Sequence, residues 1–424
     1  MSIILKNATY IDSNNFEFTK TNIVVKENEK LIFESTPSQL DLYKNATILD
    51  CNGLLVTKSF ACGHHHIYSA LAIGMDTPKN QPQNFLEVLK YIWWTLDKCL
   101  DLEMIEASAL ATAIACAKNG VTFAIDHHAS PFAVEGSLET IAKSFDRVGV
   151  SHLLCYEISN RDGDEIAEKG LQETENYLKK HQGLVGLHAS FTVNEKTINS
   201  AVNLAKKYNS GIHIHVAEDK FDQTHCMENY NNRVVERLFD AGALNFSKTI
   251  LGHCLHLNER EKELIKQTPV WVVQNTDSNL NNNVGFFNGV GLSDNIFFGT
   301  DGMHSDMLKS MKSAFFVGQG FDNINFTSAY KRLRNVNKYI SQNGFTGDDE
   351  NNLVVFEYDT PTEIKSDNFL GHLIYGIESK HVKHVISDGK LIVKDNKVQT
   401  VNEAECLDFA KEMGKKLWSK MKSS

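Results

Sequence analysis

Cys62-Gly63-His64-His65-His66 ends a strand-like segment that begins near Leu54. Successive side chains of a β-strand face opposite ways, so His64 and His66 project to one side and can grip one cation while His65 points away. Downstream come His213-Ile214-His215-Val216-Ala217-Glu218, then Gly252-His253-Cys254, then Gly299-Thr300-Asp301-Gly302. Functional groups dispersed over several strand ends are how a (β/α)8 barrel builds a site at its C-terminal mouth. A structural zinc knot would be local instead, with four Cys or His ligands at short spacings and no open position. His213 and His215 share a strand face, and either one also fits a buried histidine with its ring satisfied.

Outward from these motifs, short apolar runs alternate with helical patterns from Leu54 onward, which is the mark of βα units on a parallel sheet. Eight candidate strands begin near Leu54, Val121, Val150, Leu184, Gly211, Thr249, Val270 and Asn295. Stretches such as Phe85 to Leu100, Leu102 to Lys118, Leu138 to Phe145, Glu195 to Tyr208 and Arg233 to Ala241 are apolar on one face at three-to-four spacing. The fold class is therefore α/β, with a closed TIM-like barrel favoured over an open doubly wound sheet. Residues 1–56 carry short β segments. The pattern returns to β after residue 346, at Leu353 to Phe356, Leu373 to Tyr375, Val382 to Ile386, Lys390 to Val393 and Lys397 to Val401, before a helix from about Glu403 to Met421. This predicts a barrel over 57–345 and a small β-sandwich built jointly from residues 1–56 and 346–424.

Composition bounds the function. The chain has 424 residues, 42% hydrophobic and 23% charged, as in ordinary globular proteins. A net charge of -10 and a pI near 5.9 argue against nucleic-acid or anionic-membrane partners, which need clustered Lys and Arg. Eight cysteines are scattered without a CxxC pair, so a reducing compartment is expected rather than a disulfide framework. The N-terminus lacks the pattern of a secretory signal and no stretch is long enough to span a bilayer, so the reading is cytoplasmic. The expected partner is a small-molecule substrate, with homo-oligomer formation left open.

The chain resembles the amidohydrolase superfamily, in the branch of the S-adenosylhomocysteine, guanine and chlorotriazine hydrolases. Within it the likeness is closest to the aminohydrolase group called SsnA. His64-His65-His66-Ile67-Tyr68-Ser69-Ala70, Tyr91-Ile92-Trp93-Trp94-Thr95-Leu96-Asp97-Lys98, Asp126-His127-His128-Ala129-Ser130-Pro131, Leu154-Cys155-Tyr156-Glu157 and Gly186-Leu187-His188-Ala189-Ser190-Phe191-Thr192 carry it. The resemblance implies that His64, His66, His215 and Asp301 ligate one divalent metal, zinc first and iron(II) as the alternative. The HxxE spacing selects His215 over His213. Imidazole and carboxylate donors suit such ions, and the pKa of bound water falls toward neutrality. In the family scheme His253 orients and helps deprotonate the water, Glu218 carries its proton to a ring nitrogen and on to the leaving group, and Asp301 doubles as proton acceptor. Shuttling by Glu218 needs burial or substrate to raise its proton affinity.

His127, His128 and His188, at expected strand ends, and Trp93 are candidates for the substrate pocket. A satisfied histidine under the pocket, or a core tryptophan, would look the same in sequence. Binuclear members of the superfamily carry a carboxylated lysine at the end of strand four, where this chain has His188, so one metal is expected. The family's Pro-Gly before the first His motif is Lys58-Ser59 here, its Asn before the first ligand is Cys62, and its His-Asn-Pro is Gln274-Asn275-Thr276 with Ser278-Asn279 kept. The reading is a metal-dependent hydrolase of non-peptide carbon-nitrogen bonds that deaminates a purine-like heterocycle by attack of a metal-bound hydroxide. Hydrolytic ring opening of a cyclic amide or amidine, in purine breakdown, is the first alternative; a non-catalytic ligand-binding barrel is the second.

Overall fold

The computed structural model describes residues 2–35 and 42–423. The first sheet begins with β1 (Ile3–Ile11), β2 (Phe18–Val25), β3 (Ile32–Glu34), β4 (Thr47–Asp50) and β5 (Leu55–Lys58). The chain then enters a parallel array of β6 (Phe60–His65), β7 (Val121–His128), β8 (Ser151–Ile158), β9 (Val185–Ala189), β10 (Ile212–Val216), β11 (Ile250–His253), β12 (Trp271–Gln274) and β13 (Ile296–Phe298). It returns to the first sheet through β14 (Leu353–Phe356), β15 (Val382–Ser387), β16 (Lys390–Lys394) and β17 (Lys397–Val398), and ends on helix Glu403–Ser423.

The eight parallel strands pair strictly in sequence order. Past the end of β13, the backbone N–H groups of Thr300 and Asp301 both donate to the His64 carbonyl at 3.0 Å, which closes the array onto β6. That closure needs glycine on both strands. A Cβ on Gly63 would sit 2.4 Å from the Phe297 ring, and one on Gly299 would meet His64 Cβ at 2.7 Å. Alternation then sorts the strand residues. Phe123, Ile125, Leu153, Cys155, Leu184, Ile250, Trp271, Val273 and Phe297 fill the axis, joined by Val336, Tyr339 and Ile340 of helix Phe326–Gln342. Their neighbours Ala124, Leu154, Val185, Leu251, Val272 and Ile296 face the helical layer. The axis is thus a packed core with its functional groups confined to one end, as in other barrels of this kind, and truncating one of its buried aromatics costs about 3–5 kcal/mol.

On β6 strict alternation from the inward Ala61 would turn His65 inward and His64 out. The ladder with β7 slips between Cys62 and His65, so three steps on β6 face two on β7. This bulge turns His64 and His66 inward and leaves His65 outside, its Nε2 2.9 Å from Ser305 Oγ.

Four expectations change. The strand expected from Leu54 to the His motif is two strands in two sheets: β5 pairs with β1 and β14, and the switch comes at Ser59, whose N–H donates to Asn352 while that of Phe60 donates to Gly120. A continuous apolar run hides the break because both strands are buried. The expected sandwich is hydrogen-bonded as one branched nine-stranded sheet, since β1 pairs β4 along its first half and β5 along its second. Leu373 to Tyr375 lies in helix Phe369–Tyr375, a run too short for periodicity to separate helix from strand. The helix expected over Phe85 to Leu100 is interrupted by a π turn at Leu89–Trp93. Among the described residues no helix is long and apolar enough to cross a membrane.

Candidate metal centre and pocket

Four strand ends converge on one point. His66 Nε2 lies 3.2 Å from His215 Nε2 and 3.1 Å from Asp301 Oδ1, and His64 Nε2 is 3.8 Å from the same oxygen. On the outer side His253 Nε2 stands 3.6 Å from Asp301 Oδ2 and 3.5 Å from Glu218 Oε2. All six residues are largely buried. Ala217, His253 and Asp301 adopt left-handed backbone conformations, with φ of 47°, 65° and 53°. Non-glycine residues hold this conformation at a cost, and here it swings each chain end, and with it Glu218, into the mouth.

The rings are oriented from behind. His66 Nδ1 donates to the His127 carbonyl at 2.7 Å and His215 Nδ1 to the His188 carbonyl at 2.8 Å. His253 Nδ1 lies 2.8 Å from Asn279 Oδ1, and His64 Nδ1 lies 2.9 Å from His213 Nε2. A carbonyl oxygen only accepts, so His66 and His215 each carry a proton on Nδ1 and turn Nε2 inward as the nitrogen free for a ligand or a second proton. Supports of this kind fix the tautomer of metal-binding histidines. His213 is such a support.

The buried Nε2 atoms of His64 and His253 have no partner. Burial first, and neighbouring rings next, hold His64 and His215 well below the usual histidine range. For His66 burial is outweighed by the Asp301 carboxylate, which pushes it up to about 9. Burial would raise Asp301, but the His66 contacts keep it well below the usual carboxylate range. The cluster thus gathers the lone pairs of His64 and His215 and one carboxylate, and the proton that Asp301 draws to His66 marks a point that calls for positive charge. This donor set fits a divalent metal. Burial, opposed by His253, raises Glu218 to about 7, the range in which a carboxyl group exchanges protons near neutral pH.

Above the centre opens a small cleft lined by Tyr68, Trp93, Trp94, Glu157, Arg161 and His188 together with the metal-side groups. Trp93 and His188, candidates from the sequence, are among its lining residues. His127 and His128 do not line it. His127 lies beneath the centre, with Nδ1 3.1 Å from Glu157 Oε2 and Nε2 facing the Leu187 and His213 carbonyls, and His128 bonds Ser130 Oγ at 3.0 Å. As neighbours on β7 the two rings leave on opposite faces, and neither reaches the mouth. Glu157 and Arg161 were missed as site residues, although a carboxylate closing the apolar run of β8 was the available signal. Burial alone would raise Glu157, but His188, His127 and Arg161 hold it well below the usual range.

The amidohydrolase family pattern matches residues 55–335. A 5'-deoxyadenosine deaminase of Methanococcus vannielii is 26% identical over 441 residues, covering 97% of this chain and 98% of its own. Among solved structures, a zinc-bound adenosine deaminase from Xanthomonas campestris superposes with a TM-score of 0.81 at 15% identity, covering 98% of this chain and 99% of the other. The guanine deaminase of E. coli gives 0.76 at 17% identity, covering 93% and 99%. The chain belongs to the amidohydrolase family. The narrower SsnA grouping rests on the sequence likeness alone.

Proposed function

From that membership we propose that the chain is a metal-dependent hydrolase of non-peptide carbon-nitrogen bonds that removes an exocyclic amino group from a purine-like heterocycle. The observation that carries this reading is Glu218, a buried carboxyl group held near neutrality, beside His253 and across from a cluster of histidine lone pairs. His64, His66, His215 and Asp301 would hold a single divalent metal, zinc in the first instance. When bound, such a metal supplies Lewis acidity that brings water ionisation into the physiological range. The 5'-deoxyadenosine deaminase among the relatives supports an amino-heterocycle as substrate.

The chain's own groups divide the remaining work. Asn279 fixes the His253 ring so that Nε2 accepts a proton or hydrogen bond at the attack position. Glu218 takes a proton on the inner side and delivers it to the ring nitrogen beside the reacting carbon, then relays the water's second proton from Asp301 to the departing amine, which leaves as ammonia. Asp301 Oδ2, 3.6 Å from His253 Nε2, accepts the second proton. Tyr68, Trp93 and Trp94 hold the ring and narrow the mouth against bulk water. Hydrolysis balances: water adds, the carbon-nitrogen bond breaks, and an oxo product and ammonia leave.

Metal-loaded protein should be offered purines, pterins and pyrimidines with detection of ammonia. Release from an amino-purine, lost on chelation and restored by zinc, is the expected result. Turnover only of ring amides, with ring-opened products and no ammonia, would replace deamination by the ring-opening reaction.

A further inference from the structure

The cleft wall beside His66 and His215 holds polar atoms that the proton relay does not use. Glu157 is 5% exposed. Its Oε2 is tied to His127 Nδ1 at 3.1 Å, while its Oε1 makes no hydrogen bond and stands 3.9 Å from both Arg161 Nη1 and His188 Nε2. His127 Nε2 faces two carbonyl oxygens and must be the donor there. Only one proton then lies between Nδ1 and Oε2, and wherever it resides Oε1 presents a lone pair to the cleft. The wall therefore contains a fixed acceptor.

Fixed donors stand beside it. Arg161 bonds Asp97 through Nη2 and Asp162 through Nε at 3.1 Å, which leaves Nη1 without a hydrogen bond, 3.9 Å from Glu157 Oε1. The Trp94 ring lies 5.1 Å from the Arg161 guanidinium, and its Nε1–H is buried without a partner. Trp94, Glu157 and Arg161 all line the same cleft as the metal centre. An indole N–H can only donate, and a buried donor left unpaired carries a cost that a ligand oxygen removes.

We propose that this wall reads a lactam edge, with a substrate N–H donating to Glu157 Oε1 and the adjoining carbonyl oxygen accepting from Trp94 Nε1–H and Arg161 Nη1. This rests on the deaminase reading and sharpens it: the substrate is an amino-oxo heterocycle of the guanine kind, with a lactam beside the reacting amino group, rather than an adenine. Adenine offers no N–H beside a carbonyl. It would leave the Trp94 donor unpaired and set lone pairs against Glu157.

Equilibrium binding to metal-loaded protein separates the two claims. Hypoxanthine carries the lactam and has no amino group to lose; unsubstituted purine has neither. Wild type should bind hypoxanthine at least about tenfold tighter than purine, since a site built to pair polar groups rejects a ligand lacking them. Glu157→Met should erase that preference, Glu157→Gln should keep part of it, and Trp94→Phe, which removes the N–H together with part of the ring, should weaken both ligands but hypoxanthine about fivefold more than purine. Metal content would report whether each variant is folded. Equal binding of the two ligands by wild type, or an unchanged preference in both Trp94→Phe and a folded Glu157→Met, would overturn the proposal. Ammonia released from adenine in preference to guanine would also overturn it while leaving deamination intact. A lactam preference without ammonia from any amino-heterocycle would leave this wall's reading standing and remove the deaminase.

Discussion

The two sides of the cleft are built differently. On the metal side every group sits at the end of a barrel strand, and four ring nitrogens are held from behind by a backbone carbonyl, a histidine or an asparagine. On the facing side Trp93 and Trp94 come from an interrupted helix, and Arg161 lies past the end of β8 among Asp97, Asp162 and Glu157. The first side is rigid and performs chemistry that many substrates could share. The second is held by ion pairs and exposed in part to the cleft, and it decides which ring enters. A barrel can keep one side while changing the other, which is why fold alone does not name the substrate.

Substitutions can break this division, beginning where the effect is largest. His66→Ala removes one of few ligands, so the protein should lose its metal on dialysis and its activity with it, as elemental analysis and turnover would show. Retention of a full metal complement would mean that the centre lies elsewhere. Glu218→Gln keeps shape and ligands but cannot carry a proton. Metal content should stay near wild type while kcat falls at least about a hundredfold.

The same residue sets a pH dependence. Glu218 must be ionised to accept the first proton, and burial raises it to about 7. Activity should therefore be present above that value and lost as pH falls through it. A bound cation lowers the value, so the acid limb of kcat should lie at or below about 7 and be missing from the residual activity of Glu218→Gln.

Asn279→Ala frees the His253 ring without touching a ligand, and turnover should fall about tenfold to a hundredfold with metal retained. The smallest effect expected is on the facing side. Thr192 Oγ1 lies 2.7 Å from His188 Nδ1, and Thr192→Val should raise KM about fivefold through a looser His188 with kcat little changed. An equal fall in kcat would place His188 in the chemistry and blur the contrast between the two sides.

The same contrast governs what the sequence disclosed. His64, His66, His215, His253 and Asp301 each end an apolar run, and Glu218 follows one at fixed spacing, so local pattern suffices to pick them out. The bulge that turns His64 inward leaves no mark in that pattern, because two histidines spaced by two share a face with or without it. Glu157, Arg161 and Trp94 were harder to find. Their meaning depends on Asp97, His127 and His188, which only the closed barrel brings beside them. His127 and His128 look equivalent in sequence, yet β7 buries one under the metal centre and turns the other against Ser130. The π turn at Leu89–Trp93 leaves no mark in the sequence because helical periodicity tolerates one extra residue. Ser59 hides its change of sheet inside a run that is buried on both sides of the switch.

The most direct test of the whole account is ammonia release from guanine by protein whose metal content is measured in the same sample. The account predicts about one divalent metal per chain, one ammonia per oxo product formed, loss of both metal and activity on chelation, and recovery of both on adding zinc. Protein that holds its metal yet releases no ammonia from guanine or any other amino-heterocycle, or that works equally well after complete chelation, would contradict it.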